Sequence, residues 1–169
     1  MTFDELRMLL EYHYWARDRL LEAVAPLTPE QLTADRGNSF PSIHATIVHL
    51  YGADWLWLSR WEGASPTVWP SANDFPDLAS VRAAWRDVEM RLGALVDRLG
   101  DDGIQRPIEY RGPTGVLQAQ PFWQMFQHLV NHGSYHRGQV TTMLRQIKMA
   151  PPKSLDLIAY YRELAGVKT

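Results

Sequence analysis

The sequence predicts an all-α protein: an antiparallel four-helix bundle with a short C-terminal helix and room for a small β-hairpin between the third and fourth long helices. Four long windows carry apolar residues at three- and four-residue steps, which is the period of an amphipathic helix. Prolines, glycines and short polar stretches separate these windows. The 169 residues, 46% hydrophobic and 21% charged, have the composition of one globular domain over residues 1–169.

The first predicted helix covers about residues 2–25. Its apolar residues recur at three- and four-residue steps, as Phe3, Leu6 and Leu10 illustrate. Pro26 ends the pattern, because a proline inside a helix removes a hydrogen bond and clashes with the preceding turn.

The second predicted helix starts at Pro41 or Ser42 and stops near Gly63. One of its faces carries a heptad stripe: Ile43, Ile47, Leu50, Trp57 and Trp61. The opposite face is also apolar: Val48, Tyr51, Trp55 and Leu58. A helix that is apolar nearly all round is typical of a central helix or of a dimer interface.

The third predicted helix follows a surface loop over residues 64–77, where Asp77 is the expected N-cap. Its stripe is an unbroken a/d pattern: Val81, Trp85, Val88, Leu92, Leu95 and Leu99. The helix is expected to end at about Leu99, because Gly100 suits a C-terminal cap. Beyond it, a Gly-Pro-Thr-Gly turn separates two strand-compatible segments within residues 108–120, which permits a hairpin.

The fourth predicted helix begins beside Pro121 and ends before Pro151 and Pro152. A histidine lies on its core-facing stripe: Phe122, Phe126, Leu129, Gly133, His136, Val140, Met143 and Ile147. Ser154 is the expected N-cap of a short terminal helix that covers one end of the bundle.

Charge and composition exclude several classes of function. The 17 basic and 19 acidic side chains give a formal charge of -2 without a like-charge block, so no nucleic-acid partner is expected. The absence of cysteine excludes disulfides, a thiolate nucleophile and zinc–cysteine sites. No window of about 18 apolar residues could span a membrane, and Asp4 and Glu5 stand where a signal peptide needs a basic start. We therefore expect a cytoplasmic protein without a membrane partner.

Three of the six histidines, His128, His132 and His136, follow one another at i, i+4 steps. Two imidazoles at this spacing can ligate one ion, because four residues rotate a helix by only about 40° and advance it by about 6 Å. His136 lies on the core stripe with His132 one turn before it, and Gly133 is expected to open space between them. We therefore favour His132 and His136 over His128, which lies farther round the helix.

A third ligand has to come from another helix, and the second helix offers His44 and His49. The residues around His49 are small and leave room for a metal ion: Ala45, Gly52 and Ala53. The residues around His44 are bulky: Ile47, Val48 and Tyr51. The sequence therefore favours His49, His132 and His136 as ligands of a divalent metal.

Other polar residues on apolar faces are interpreted as structural. His13 lies on the stripe of the first helix and is expected to be a hydrogen-bonded core or interface residue. Arg137 is expected to be a surface charge or a helix-packing residue. No catalytic residue can be assigned, and the candidates for a general base rest on residue type alone: Asp54, Glu109, Asp156 and Tyr135.

Four stretches of the chain resemble the DinB family of the DinB/YfiT-like superfamily: VNHGSYHRGQV, IHATIVHLYGADWLWLSRW, LLEYHYWARDRLL and DLIAYYREL. The resemblance implies a four-helix bundle whose divalent-metal site consists of three histidines, which map to His49, His132 and His136. It also implies a homodimer, and relatives in the superfamily include metal-dependent thiol transferases and a mycothiol-dependent isomerase. His13 departs from the pattern, because similar sequences often carry asparagine there in a Tyr-Asn-x-Trp-Ala run.

The favoured function is that of a metal-dependent transferase that uses a low-molecular-weight thiol and a small-molecule substrate. Three imidazoles leave coordination positions open, where water or substrate can bind. The alternatives are a metal-hydroxide hydrolase, a non-catalytic metal-binding dimer associated with stress, and a purely structural bundle. An all-imidazole site favours Zn²⁺ or Ni²⁺ and is compatible with Fe²⁺, Mn²⁺, Co²⁺ and Cu²⁺.

Overall fold

Four long helices form the body of the molecule in the computed structural model, which describes residues 1–167. They are α1 (Phe3–Val24), α3 (Ile43–Trp61), α4 (Leu78–Gln105) and α5 (Phe122–Gln146). Both α1 and α3 pack against α4 and α5, so the predicted all-α four-helix bundle is confirmed. Short elements complete the described part of the chain: α2 (Pro29–Thr33), a 3-10 helix (Ala72–Asp74), β1 (Pro107–Arg111), β2 (Leu117–Pro121) and α6 (Leu157–Leu164).

The long helices begin where side chains cap their free N–H groups. The Thr2 hydroxyl accepts from the backbone of Glu5, whose carboxylate accepts in return from the backbone of Thr2. Ser42 caps α3, and Asp77 caps α4 as predicted. α5 begins at Phe122, directly after Pro121, where the sequence placed it.

The helix α3 is the central helix of the bundle. In total, 15 of its 19 residues are buried, and it contacts α2, α4, α5 and β1. Other segments of the chain therefore cover both apolar faces of α3. This confirms the interpretation of α3 as a central helix. His49 consequently lies on a rigid element between two neighbouring helices.

Two helix predictions need correction. α2 was not predicted, although Thr28, Pro29 and Gln31 carry its signal: a capping residue, a proline in the first turn and a glutamine that completes the capping box. The predicted end of the third long helix at about Leu99 is confirmed only in part. Gly100 does interrupt the helix with φ 58° and ψ -169°, but helical structure resumes through Gln105, because Ile104 is fully buried in the core.

The hairpin is confirmed, whereas the predicted cap of the last helix is not. β1 and β2 pair antiparallel, from Pro107 opposite Pro121 to Arg111 opposite Leu117. Asp156, not Ser154, is the N-cap of α6, because the Ser154 hydroxyl donates to the Asp156 carboxylate and the helix starts after that contact. No helix in residues 1–167 is long and apolar enough to cross a bilayer.

Candidate metal centre

Helices α3 and α5 bring three imidazoles together. One ring nitrogen from each of His49, His132 and His136 lies within 4.8 Å of the other two. The Nε2 atoms of His49 and His132 are 3.1 Å apart, and the ring centroids of His132 and His136 are 4.5 Å apart. Such a group can hold a divalent cation, because metal–imidazole bonds of about 2 Å draw three nitrogens to comparable separations.

A glutamine one turn along α5 orients His136. The Nδ1–H group of His136 donates to Gln139 Oε1 at 2.7 Å, and Gln139 Nε2 donates to the Ser39 hydroxyl at 3.2 Å. The Nε2 lone pair of His136 is thereby left for a cation, and such outer hydrogen bonds characteristically fix the tautomer and direction of a metal ligand. The sequence contains a signal for this contact, since residues three apart are neighbours on a helix.

Two loop aromatics stack against His49. The Phe40 ring lies 3.9 Å from the imidazole centroid, and the Trp69 ring lies 5.8 Å from it and within 7° of parallel. Phe40 also meets the ring of His136 edge-on at 5.5 Å. Periodicity could not indicate either residue, because both lie in connecting segments outside the helical pattern.

Burial keeps two of the imidazoles uncharged. Desolvation, followed by repulsion from His136, lowers the pKa of His49 to about 4. The pKa of His132 is also lowered to about 4, mainly by desolvation and next by His136. Neutral imidazole is the form that binds a metal ion, so a cation can bind to these rings near pH 7 without a net release of protons.

A buried polar network lies behind the cluster. His13 Nε2 is 3.0 Å from both carboxylate oxygens of Asp54, and the Trp85 indole donates to Asp54 at 2.6 Å. His13 is 2% exposed, so its interpretation as a hydrogen-bonded core residue is confirmed. Asp54, proposed as a general base by type, is 1% exposed and already has these two partners.

Among the described residues, the other candidates are not members of the three-imidazole group. His44 is buried, and His128 is exposed with its ring centroid 6.0 Å from that of His132. Tyr135 is 64% exposed, and its ring centroid lies 5.0 Å from that of His136. The remaining two candidates, Glu109 on β1 and Asp156 before α6, have exposed side chains.

Gly133 does not have its predicted role, and Arg137 matches only the helix-packing alternative of its two interpretations. A Cβ on Gly133 would lie 2.8 Å from Arg137 Nη1 and 3.1 Å from His13 Cε1. The missing side chain of Gly133 therefore makes room for Arg137 and His13, and it does not open space between His132 and His136. The reason is that residue 133 is rotated by about 100° from residue 132 around the helix. Arg137 is 2% exposed and packs between helices, so the surface alternative was wrong.

An apolar cavity of about 390 Å³ opens beside His49. Phe40, Trp69 and Pro70 from the loops line it, together with Ala45 and Val48 from α3. A cavity with this lining suits an apolar group of a small molecule next to the imidazole cluster.

Comparisons with known sequences identify the relatives of this chain. A sequence model of the DinB family matches residues 2–162. Protein DinB of Bacillus subtilis (strain 168) is 25% identical over 147 residues, which cover 82% of this chain and 83% of that protein. The uncharacterized protein YizA of the same organism is 23% identical over 145 residues, covering 83% of this chain and 87% of YizA.

Two solved structures share the fold. YfiT from Bacillus subtilis superposes with a TM-score of 0.69 at 14% identity, covering 89% of this chain and 91% of YfiT. It is described as a probable metal-dependent hydrolase with an unusual four-helix bundle topology. A DinB-like protein from Bacillus cereus ATCC 10987 superposes with a TM-score of 0.59 at 19% identity, covering 86% of this chain and 95% of that one.

Proposed function

This chain belongs to the DinB family, and from that premise we propose that it is a divalent-metal-dependent enzyme with His49, His132 and His136 as the metal ligands. The convergence of three imidazole nitrogens within 4.8 Å of one another carries the proposal. The description of the structural neighbour YfiT as a probable metal-dependent hydrolase supports metal dependence.

The surrounding residues prepare the cluster for an open, catalytic type of site. Gln139 orients His136, and the Phe40 and Trp69 rings hold His49 in place. A divalent cation with three protein ligands keeps positions open and lowers the pKa of a thiol or water molecule that binds it. Zn²⁺ or Ni²⁺ is the proposed cation, and Fe²⁺, Mn²⁺ and Co²⁺ suit the same donors.

The proposed reaction is transfer involving a low-molecular-weight thiol. The chain has no cysteine, so a sulfur nucleophile must come from a second substrate. The apolar cavity beside His49 suits the uncharged part of the acceptor. We also propose that the protein acts as a homodimer.

Hydrolysis is the second candidate reaction. The description of YfiT as a probable metal-dependent hydrolase favours it, and the same three imidazoles would serve it with water in place of the thiol. Asp54 is not free to act as the general base for this reaction, because its carboxylate already bonds to His13 and Trp85.

Metal analysis and a substrate panel test the proposal together. Protein prepared without a polyhistidine tag is analysed for bound metal, then loaded with Zn²⁺ or Ni²⁺ and assayed with thiols plus electrophilic acceptors, and with esters and amides. We expect about one metal ion per chain and turnover that requires it. Thiol-dependent turnover supports transfer, and thiol-independent ester cleavage supports hydrolysis. Absence of metal contradicts the metal site, and stoichiometric metal without any turnover contradicts the enzymatic part.

A further inference from the structure

A second cavity, of about 410 Å³, lies where the end of α3 meets the hairpin. Two arginines line it, Arg60 from α3 and Arg111 from the end of β1, together with Ser65 and Thr67 from the following loop. Arg60 is only 7% exposed, and its guanidinium lies 4.8 Å from the ring centroid of Trp57 and 5.0 Å from that of Tyr110. These two rings hold a buried cation in a fixed position.

The charge of Arg60 has no protein counter-ion. No carboxylate in residues 1–167 lies within ion-pair distance of it, and its buried Nε–H has no hydrogen-bond partner. Burial lowers the pKa of Arg60, and the nearby Tyr110 opposes this effect. Because an unpaired buried charge is costly, the site favours an anion from outside the chain.

Arg111 is held at the edge of the same cavity. Its backbone N–H donates to the Ser65 hydroxyl at 3.1 Å, and its Nη1 donates to the Gly115 carbonyl at 3.0 Å. This side chain is exposed and forms no ion pair within the described part of the chain. The cavity therefore presents two guanidinium groups, the side chain that best matches the geometry of carboxylate and phosphate.

Trp69 connects this cavity with the imidazole cluster. Its indole lines both the basic cavity and the apolar cavity beside His49. Arg60 follows His49 by 11 residues, which is about three helical turns and about 16 Å, so the two residues lie on the same face of α3. A ligand that reaches both places must be elongated.

Another basic cavity, of about 530 Å³, is lined by Arg137, Arg145 and Lys153. It is less suited to an anion, because Asp156 also lines it and the charge of Asp54 acts on Arg137. Arg145 is therefore useful as a comparison residue.

We propose that Arg60 and Arg111 bind an oxyanion, a carboxylate or a phosphate, at the far end of an elongated small-molecule substrate. The anion site stands on its own observations. The link to a substrate rests on the proposed function, which places the other end of that substrate at His49, His132 and His136. The substrate class is thus an acid or phosphorylated compound with an apolar part beside Trp69.

Binding of simple anions to the full chain tests this site. Succinate, its neutral analogue succinamide and inorganic phosphate are titrated into metal-free protein, with heat release and tryptophan fluorescence as readouts. The variants are Arg60→Gln, Arg111→Gln and, as the matched control, Arg145→Gln. A further variant, His136→Ala, separates the anion site from the imidazole cluster.

We expect saturable binding of succinate or phosphate but not of succinamide, weakened about tenfold or more in Arg111→Gln, as for loss of a charge-assisted hydrogen bond. Arg60→Gln should weaken binding to the same extent. If Arg60→Gln prevents folding because Arg60 is buried, Arg111→Gln alone tests the site. Binding should persist in Arg145→Gln and in His136→Ala. No saturation below roughly 10 mM, insensitivity to Arg111→Gln, or loss in either persisting variant would overturn the proposal. A failure to find bound metal leaves these titrations unaffected, so the two proposals fail separately.

Discussion

The Phe40 ring is stacked on the imidazole of His49, with centroids 3.9 Å apart and planes inclined by 22°. Trp69 contributes a second, nearly parallel ring at 5.8 Å. Both aromatics come from connecting segments, whereas His49 lies on the central helix. Loop residues therefore restrict the rotation of a helical side chain, which prepares it as a ligand before any ion binds.

Replacement of Phe40 with alanine is expected to weaken metal affinity about tenfold, in the range found when residues that orient metal ligands are removed. The dissociation constant is measured by competition with a chromophoric chelator. Phe75→Ala is the matched control, because Phe75 is a half-buried loop phenylalanine that packs on Tyr51. Equal metal affinities in the two variants would contradict a role for the Phe40 stack.

His136→Ala should abolish stoichiometric metal binding, because two remaining imidazoles provide too few ligands for a stable site. His128→Ala should retain the metal, since His128 is exposed and lies outside the group of three converging nitrogens. Metal per chain is measured by elemental analysis after dialysis. Retention of one ion per chain by His136→Ala would refute the ligand assignment.

Gln139→Ala should reduce metal affinity about 10- to 100-fold while leaving the fold intact, because the variant frees His136 to rotate and to change tautomer. The hydrogen bond that is lost joins His136 Nδ1 to Gln139 Oε1 at 2.7 Å. Gln124→Ala, at an exposed position of the same helix, is the control. The same chelator competition measures both, and unchanged affinity in Gln139→Ala would show that the hydrogen bond does not orient the ligand.

The sequence was sufficient to predict the long helices and the grouping of the three histidines. Helical periodicity, capping residues and prolines are local signals, and the i, i+4 spacing of His132 and His136 is a local signal of the same kind. The choice of His49 over His44 rested on the size of neighbouring residues, and His49 is the one that lies in the cluster.

Contacts between distant segments could not be predicted in this way. The stacking of Phe40 and Trp69 on His49 depends on loop paths, which carry no periodic pattern. The sequence left Arg137 between a surface charge and a helix-packing residue, because arginine is usually exposed, and the missing side chain of Gly133 is what gives it a buried position. The continuation of α4 past Gly100 depended on the burial of Ile104, which is a property of the tertiary structure.

Asp54→Ala should lower the free energy of unfolding by about 3 kcal/mol, the lower end of the range for removing one partner from a buried polar pair. The variant leaves the His13 ring and the Trp85 indole N–H without their carboxylate partner. Asp97→Ala is the control, because Asp97 pairs with Arg7 at the surface and such pairs contribute about 0–1 kcal/mol. Urea unfolding measures both. A loss below about 1 kcal/mol for Asp54→Ala would contradict a structural role for the network.

Glycine-to-alanine substitutions in two helices should have opposite effects on stability. Gly93→Ala in α4 should raise the free energy of unfolding by up to about 1 kcal/mol, because alanine favours the helix and the new Cβ meets no atom within 4 Å. Gly133→Ala in α5 should lower it by about 1–3 kcal/mol, since its Cβ would lie 2.8 Å from the guanidinium of Arg137 and 3.1 Å from Cε1 of His13, which Asp54 holds in place. Thermal and urea unfolding compare the two variants with the parent protein. Equal stabilisation by Gly133→Ala and Gly93→Ala would contradict this prediction. It would mean that Arg137 can adopt another position and that the close packing of α5 against His13 does not constrain the fold.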